Sequence, residues 1–334
     1  MRAVTILSST LLLASLTGSA GCRYALAMVP PPSAPTVAVP LLPATSTTPR
    51  VIVVLWDGVR WQDVFDVEAT VSPTRPAMGT LLSADDACWF GDRTAGSFVG
   101  TSSRVPLSLP GYQTLMLGRQ SPCTDNDCDA VVDETFLDEV ARRLPGASKQ
   151  DVAAFGSWSR TARAFSSTPS RITVDAPADG PPTTGGPPWK NARFDDVTWQ
   201  RAMAHLEAHR PRLLVVSLLD TDEWAHEGDV PHYLASLRRY EAQLQELRVT
   251  LKRLALADDT TVIVVADHGR DDGTGWPDHG DTEAGRAIFL GVFGNRIAGG
   301  GRVRGGPALD QRSLRATVIK LLLAPRAPET TASP

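Results

Sequence analysis

The chain has 334 residues, 42% of them hydrophobic and 21% charged, which suits one large α/β domain or two small ones. A net charge of −4 with no dense Lys/Arg run excludes the electrostatic footprint of a nucleic-acid-binding surface. The opening MRAVTILSSTLLLASLTGSAGC (residues 1–22) reads as an export signal: Arg2 is the positive start, Val4 to Leu16 is apolar, and small residues follow. It is too short and too rich in Ser and Thr for a membrane span. Residues 30–50 are rich in Pro, Ser and Thr, so 23–50 is expected to be an extended linker. The folded domain is expected over 51–323, with 324–334 a frayed tail.

VIVVLW (51–56) is a first strand that ends in Asp57-Gly58. A stretch rich in Ser, Pro and Gly follows, containing RVPLSLPGYQTLMLGR (104–119). Glu134 to Arg143 reads as a helix and Asp151 to Trp158 as a strand, whereas 166–190 has too much Pro and Gly for regular structure. Val197 to His209 is a helix leading into Leu213–Leu219, a β-branched run with the composition of a strand buried on both faces. From Pro231 to about Leu256 a long helix carries an apolar stripe at Leu234, Leu237, Tyr240, Leu244, Leu247, Leu251 and Leu254. TTVIVVADHGR (260–270) is a third buried strand, ending in Asp267-His268-Gly269. Strands alternating with helices imply an α/β fold, a mainly parallel central sheet with helices on both faces.

The SAGC that closes the opening segment resembles a bacterial lipoprotein signal, in which Cys22 is lipidated and anchors the chain to a membrane. Ser19 stands where that signal usually has Leu, and cleavage after Ala25-Leu26-Ala27 would instead release a soluble secreted protein. The lipoprotein reading is preferred, partly because a tether follows Cys22; it places the protein at the periplasmic or outer face of a membrane. Export implies oxidising conditions, so CTDNDC is a candidate Cys123–Cys128 disulfide. With no second close pair of cysteines, a four-cysteine zinc site is not expected.

The acids at Asp57, Asp222 and Asp267 all follow strand ends, where open parallel sheets bind their ligands. Three carboxylates facing one crevice repel each other, and bound divalent cations resolve the conflict. Histidines stand nearby: His226 four residues after Asp222, His268 beside Asp267, and His279 in GWPDHG. Mixed imidazole and carboxylate ligands suit zinc better than magnesium or calcium. Two divalent ions would overbalance three carboxylates, leaving a net positive site for an anion such as a phosphate ester.

VVLWDGVR, SLPGY, DEWAH and ADHG with a later His resemble, in family order over about 51–295, the motifs of the alkaline phosphatase superfamily of metallohydrolases. The likeness is strongest to its nucleotide pyrophosphatase/phosphodiesterase-like branch. The resemblance implies two metal ions, most plainly zinc, one held by Asp222, His226 and His279 and the other by Asp57, Asp267 and His268. It implies that Ser108 bridges toward both ions and attacks the phosphorus of a small-molecule phosphate ester. A phosphoseryl intermediate, then hydrolysed, would follow. The family's phosphate-gripping Asn has its counterpart in Asn126, placed by approximate spacing. A sulfatase motif, C/S-x-P-x-R, would need Arg where Tyr112 stands, which argues against formylglycine and sulfate esters. A phosphotransferase or mutase of the same superfamily and a catalytically silent ligand-binding lipoprotein are the alternatives.

Other polar residues invite and do not earn the same reading. His205 and His209 have chelating i, i+4 spacing, but their neighbours Glu207 and Arg210 suggest a solvated face. His232 stands at a helix start, Asp220 is either a partner that orients His226 or an exposed loop acid, and Asp278 beside His279 is equally open. Arg60 and Arg270 flank candidate ligands and are candidates for holding substrate oxygens.

Overall fold

The computed structural model describes residues 48–65, 79–82, 84–294, 297 and 299–323. The expected export signal, most of the linker and the C-terminal tail lie outside the described residues. Among the described residues no helix is long and apolar enough to cross a membrane.

The described strands are β1 (Arg50–Trp56), β2 (Ala87–Phe90), β3 (Val99–Gly100), β4 (Val152–Gly156), β5 (Thr173–Asp175) and β6 (Leu213–Leu218). They continue with β7 (Thr260–Ala266), β8 (Ala287–Ile288), β9 (Leu290–Phe293), β10 (Gly301–Arg302) and β11 (Leu309–Asp310). Eight form one sheet in the order β10-β2-β9-β7-β1-β6-β4-β5, and β11-β3-β8 form a small second sheet. From β7 to β5 every pairing is parallel, while β9 runs antiparallel to both β7 and β2. β6 and β7 are buried along their whole length and β1 at every residue after Arg50, as expected for runs of Val, Ile and Leu covered on both faces.

The covering helices fall into two groups. On one side α3 (Ser108–Leu117), α4 (Phe136–Arg143), α5 (Ala162–Phe165) and α9 (Ser313–Leu323) pack together. In the other, α6 (Asp195–His209) is tied to α8 (Val230–Arg253) by Arg239–Asp196 at 3.0 Å and Trp199 Nε1–Glu246 at 2.8 Å, and α7 (Asp220–His226) packs on α8. The short helices α1 (Trp61–Phe65) and α2 (Gly79–Leu82) follow β1. The expected stripe of α8 is buried from Leu234 to Leu251. That helix stops at Arg253, short of Leu256, because Ala255 turns left-handed (φ +56°). α4 begins two residues later than expected, where Thr135 and Asp138 form a reciprocal capping box.

The stretch 166–190 is not wholly irregular: β5 lies inside it and completes the sheet edge, Ala153 facing Thr173. A three-residue edge strand satisfies backbone groups of β4 yet is too short to leave a periodic signal. The anticipated Cys123–Cys128 disulfide is present, with Cα atoms 5.7 Å apart.

Candidate active site

Trp56 of β1 stands opposite both Leu218 of β6 and Ala266 of β7. Three adjacent strands therefore end at one level, and the residues that follow them are delivered to one place. Asp57 and Asp267 come next in the chain, and Asp222 sits in the first turn of α7. All three are buried. The loop after β6 does coil into a helix, which puts His226 Nε2 3.2 Å from Asp222 Oδ2 across one turn. Gly58 allows the approach of these elements. It has φ +60°, and a Cβ there would lie 2.2 Å from Asp222 Oδ1.

Two groups of potential ligands result: Asp222, His226 and His279, and Asp57, Asp267 and His268. Within each, the ligand atoms lie within 4.8 Å of one another. His268 Nδ1 lies 2.9 Å from the Gly269 carbonyl and His279 Nδ1 2.7 Å from the Pro106 carbonyl. A carbonyl only accepts, so Nδ1 carries the proton in both rings and Nε2 presents a lone pair. For His268 that lone pair faces Asp57 Oδ1 at 3.2 Å and Asp267 Oδ2 at 3.5 Å. Asp267 Oδ2 is itself buried without a hydrogen-bond donor. Lone pairs aimed at each other in a dry pocket need a cation between them, so this donor set fits a metal.

The proton affinities agree. Burial, then the nearby Asp222, raises Asp57 to about 7, and burial with Asp57 and Asp222 raises Asp267 well above the ordinary carboxylate range. Burial holds His268 and His279 down at about 4, so both rings are neutral ligands near pH 7. Asp222 differs. Burial would raise it, yet Arg270 and His226 outweigh burial and hold it well below the usual value.

Ser108 opens α3, buried, with its Oγ donating to Asp57 Oδ1 at 3.2 Å and lying 3.3 Å from His268 Nε2. The Pro-Gly that follows it is not a turn but part of the helix. At Gly111 a Cβ would sit 2.8 Å from the Asp267 carbonyl oxygen, so glycine lets the first turn of α3 lie against the Asp267 strand end. Asn126, in the disulfide loop, accepts from the Leu109 amide at 3.0 Å through Oδ1. Because the amide N–H must donate, the side chain's orientation is fixed, and its Nδ2 has no hydrogen-bond acceptor among the described residues.

Sequence reading missed Tyr112, whose hydroxyl donates to Asp57 Oδ2 at 2.7 Å. The signal was available: Tyr112 is four residues after Ser108, one turn along the same helix face. It also missed Asp195. Asp220 is neither a partner of His226 nor exposed; it is buried, and its Oδ1 accepts from the Asp195 amide at 3.3 Å. Asp278 is exposed, 3.5 Å from His226 Nδ1. His205 lies on the Gln150 carbonyl at 3.0 Å, and His232 on Asp229 at 2.7 Å with its ring stacked on Trp224. Arg60 pairs with Asp63 at 3.4 Å, while Arg270 bonds to Asp222.

Residues 89–280, more than half of the chain, match the model of the type I phosphodiesterase / nucleotide pyrophosphatase family. That segment contains Ser108, Asn126, Asp222, His226, Asp267, His268 and His279, while Asp57 precedes it. A phosphopentomutase from Methylobacterium nodulans is 38% identical over 68 residues, a match that covers 20% of this chain and only 16% of that protein. Among solved structures, a phosphonate monoester hydrolase from Silicibacter pomeroyi superposes with a TM-score of 0.56 at 13% identity, covering 82% of this chain and 73% of the other. A putative sulfatase from Bacteroides thetaiotaomicron gives 0.58 at 12% identity, covering 85% and 73%. At such identities the likeness establishes the fold, that of alkaline-phosphatase-like proteins. The chain belongs to the type I phosphodiesterase / nucleotide pyrophosphatase family of the alkaline phosphatase superfamily.

Proposed function

We propose that this chain is an exported, two-zinc hydrolase of small phosphoric esters in which Ser108 attacks phosphorus and is transiently phosphorylated. The observation that carries the reading is Ser108 Oγ, at the start of a ten-residue helix, in contact with Asp57 and His268. The helix N-terminus favours both an alkoxide and an incoming phosphate. Tyr112 holds the Asp57 carboxylate in place. Asn126, with its oxygen committed to Leu109, keeps its NH₂ group for a phosphoryl oxygen. Asp222, His226 and His279 would hold one ion and Asp57, Asp267 and His268 the other. Bound there, divalent ions would activate the Ser108 hydroxyl and offset phosphoryl charge. The three imidazoles favour zinc.

Zinc-reconstituted protein should hold about two ions per chain, by the count of the two ligand groups. Quenched in acid during turnover, it should carry phosphate on Ser108. An aryl phosphate diester compared with the monoester decides the substrate class, and hydrolysis of neither would sink the reading. The phosphopentomutase likeness favours one second reading, transfer of the phosphoryl group to an alcohol. Measuring free against transferred phosphate separates the two. Export rests on residues 1–22: lipidation at Cys22 predicts membrane partitioning that Cys22→Ser abolishes, because a lipoprotein's several acyl chains anchor stably. A mature chain starting at Met28 would favour plain secretion instead.

A further inference from the structure

The two halves of the site are not equivalent in charge. Asp57 and Asp267 meet neutral donors: the Ser108 and Tyr112 hydroxyls and, at 3.2 Å, the Gly58 amide. Asp222 meets a guanidinium. Arg270 is buried beside it, with one terminal nitrogen bonded to Asp222 Oδ1. Two further bonds fix that side chain: Nε donates to the Trp276 carbonyl at 2.8 Å and the other terminal nitrogen to the Pro277 carbonyl. The second terminal nitrogen also lies 3.5 Å from His226 Nδ1. Space for the pair exists because residue 58 has no side chain; a Cβ there would lie 2.6 Å from the Arg270 nitrogen.

Resting on the two-metal reading above, we infer that Arg270 is a positioning residue that makes Asp222, His226 and His279 the weaker, later-filled metal position. An ion entering there must approach a fixed positive charge and compete with it for Asp222 Oδ1. An ion entering the other half meets a carboxylate oxygen, Asp267 Oδ2, that lacks any donor, and a His268 lone pair already aimed at it. Uncompensated ligands draw the first ion, and the half that carries its own cation fills second. Arg270 thereby also holds the empty half in shape.

The test is a zinc titration of chelator-treated protein with a competing zinc indicator, for wild type and Arg270→Gln. Wild type should show two unequal classes. Arg270→Gln should tighten the weaker class by at least about tenfold, because it removes a fixed like charge beside the incoming ion, and leave the tighter class unchanged. A gain of affinity at one position is not what structural damage produces. Unchanged or weakened binding in a folded variant would overturn the inference, as would two equal classes in wild type. Should Arg270→Gln not fold, a crystal structure of wild type with one equivalent of zinc decides: density between Asp57, Asp267 and His268 supports the order, and density at Asp222 overturns it. Wild type that binds fewer than two ions would remove the two-metal reading itself, a result distinct from the others.

Discussion

Two groups of buried acids lie side by side at the ends of the central strands, and they differ in one respect. In the pair Asp195 and Asp220, Asp195 Oδ1 accepts from the Leu219 amide at 2.7 Å, and Oδ2 accepts from the Asp220 amide at 2.8 Å and from the Tyr240 hydroxyl. In the group Asp57, Asp222 and Asp267, one oxygen of Asp267 has no donor and two imidazole lone pairs point inward. Thr221 joins the groups, its hydroxyl donating to the Asp57 carbonyl at 2.7 Å and its amide to Tyr240 at 3.4 Å. Burial and raised proton affinity are common to both, so neither marks a functional site by itself. What distinguishes the candidate site is acceptor capacity left unfilled where water is scarce. The satisfied pair fastens β6 to the start of α6; the unsatisfied group has the donor set to hold a cation.

The comparison breaks most severely if the open group is not where chemistry occurs. Ser108→Ala removes one hydroxyl that contacts this group and none that contacts Asp195. Turnover should fall by at least about a thousandfold, with residual hydrolysis remaining, while zinc content and melting temperature stay close to wild type. Ser108→Thr should retain more activity, since it keeps the hydroxyl. A fully active alanine variant would end the covalent mechanism.

Paired substitutions sharpen the contrast. Asp195→Ala strands three buried donors and should cost roughly 3 kcal/mol of stability without changing the number of zinc ions bound. Asp267→Asn should do the reverse. Burial raises the proton affinity of Asp267 well above the ordinary carboxylate range, so its charge is costly in the metal-free protein and a neutral amide of the same shape should change the melting temperature little. Zinc should then fall by one ion per chain. Loss of metal from Asp195→Ala with retained stability would invert the assignment of the two groups.

The open group was legible in the sequence because it obeys local rules. Apolar runs end abruptly in Asp57, Asp222 and Asp267, and parallel pairing in register brings those ends together, Trp56 lying opposite Leu218 and Ala266. His226 follows from helical spacing. The satisfied pair was not legible, because Tyr240 reaches Asp195 from another helix 45 residues away, which no spacing rule connects. Asp220 illustrates the limit: its position after a strand made a metal partner or a solvated acid reasonable, and only the start of α6, whose Asp195 accepts from the Leu219 and Asp220 amides, brings it to Asp195. On the fold, long buried strands were readable, whereas four-residue β2 and β9 and three-residue β5 carry too little pattern to separate from loop. The antiparallel side of the sheet escaped notice for that reason.

A smaller effect probes the rim of the open group. Asn126→Ala should lower turnover by roughly ten- to a thousandfold while leaving zinc content intact, the range for losing one donor to a developing charge. The loop that presents it is held by the Cys123–Cys128 bridge and also by Arg160, which donates to the Asn126 carbonyl at 2.6 Å. Reducing the disulfide should therefore cost less than removing the amide. An unchanged rate in Asn126→Ala would leave Asn126 as a cap of α3 and nothing more.

The smallest expected effect concerns the closed pair, and it is a pH slope. Burial, then the charge of Asp195, raises Asp220 to about 9, whereas in an unfolded chain an aspartate titrates near 4. The folded state thus binds this proton more tightly than the unfolded state does. By linkage, the contribution of Asp220 to stability is complete below about pH 4 and is lost progressively as pH rises toward about 9. Wild type should therefore melt at a lower temperature at pH 8.5 than at pH 7, a window above the titration of His268 and His279. Asp220→Asn cannot ionise and should show a shallower decline over the same window. The comparison is best made on zinc-loaded protein, where ions would hold Asp57 and Asp267 ionised throughout and remove their share of the slope. Equal slopes in wild type and Asp220→Asn would mean that the pair is ionised in the fold, with its charge satisfied by the hydrogen bonds alone.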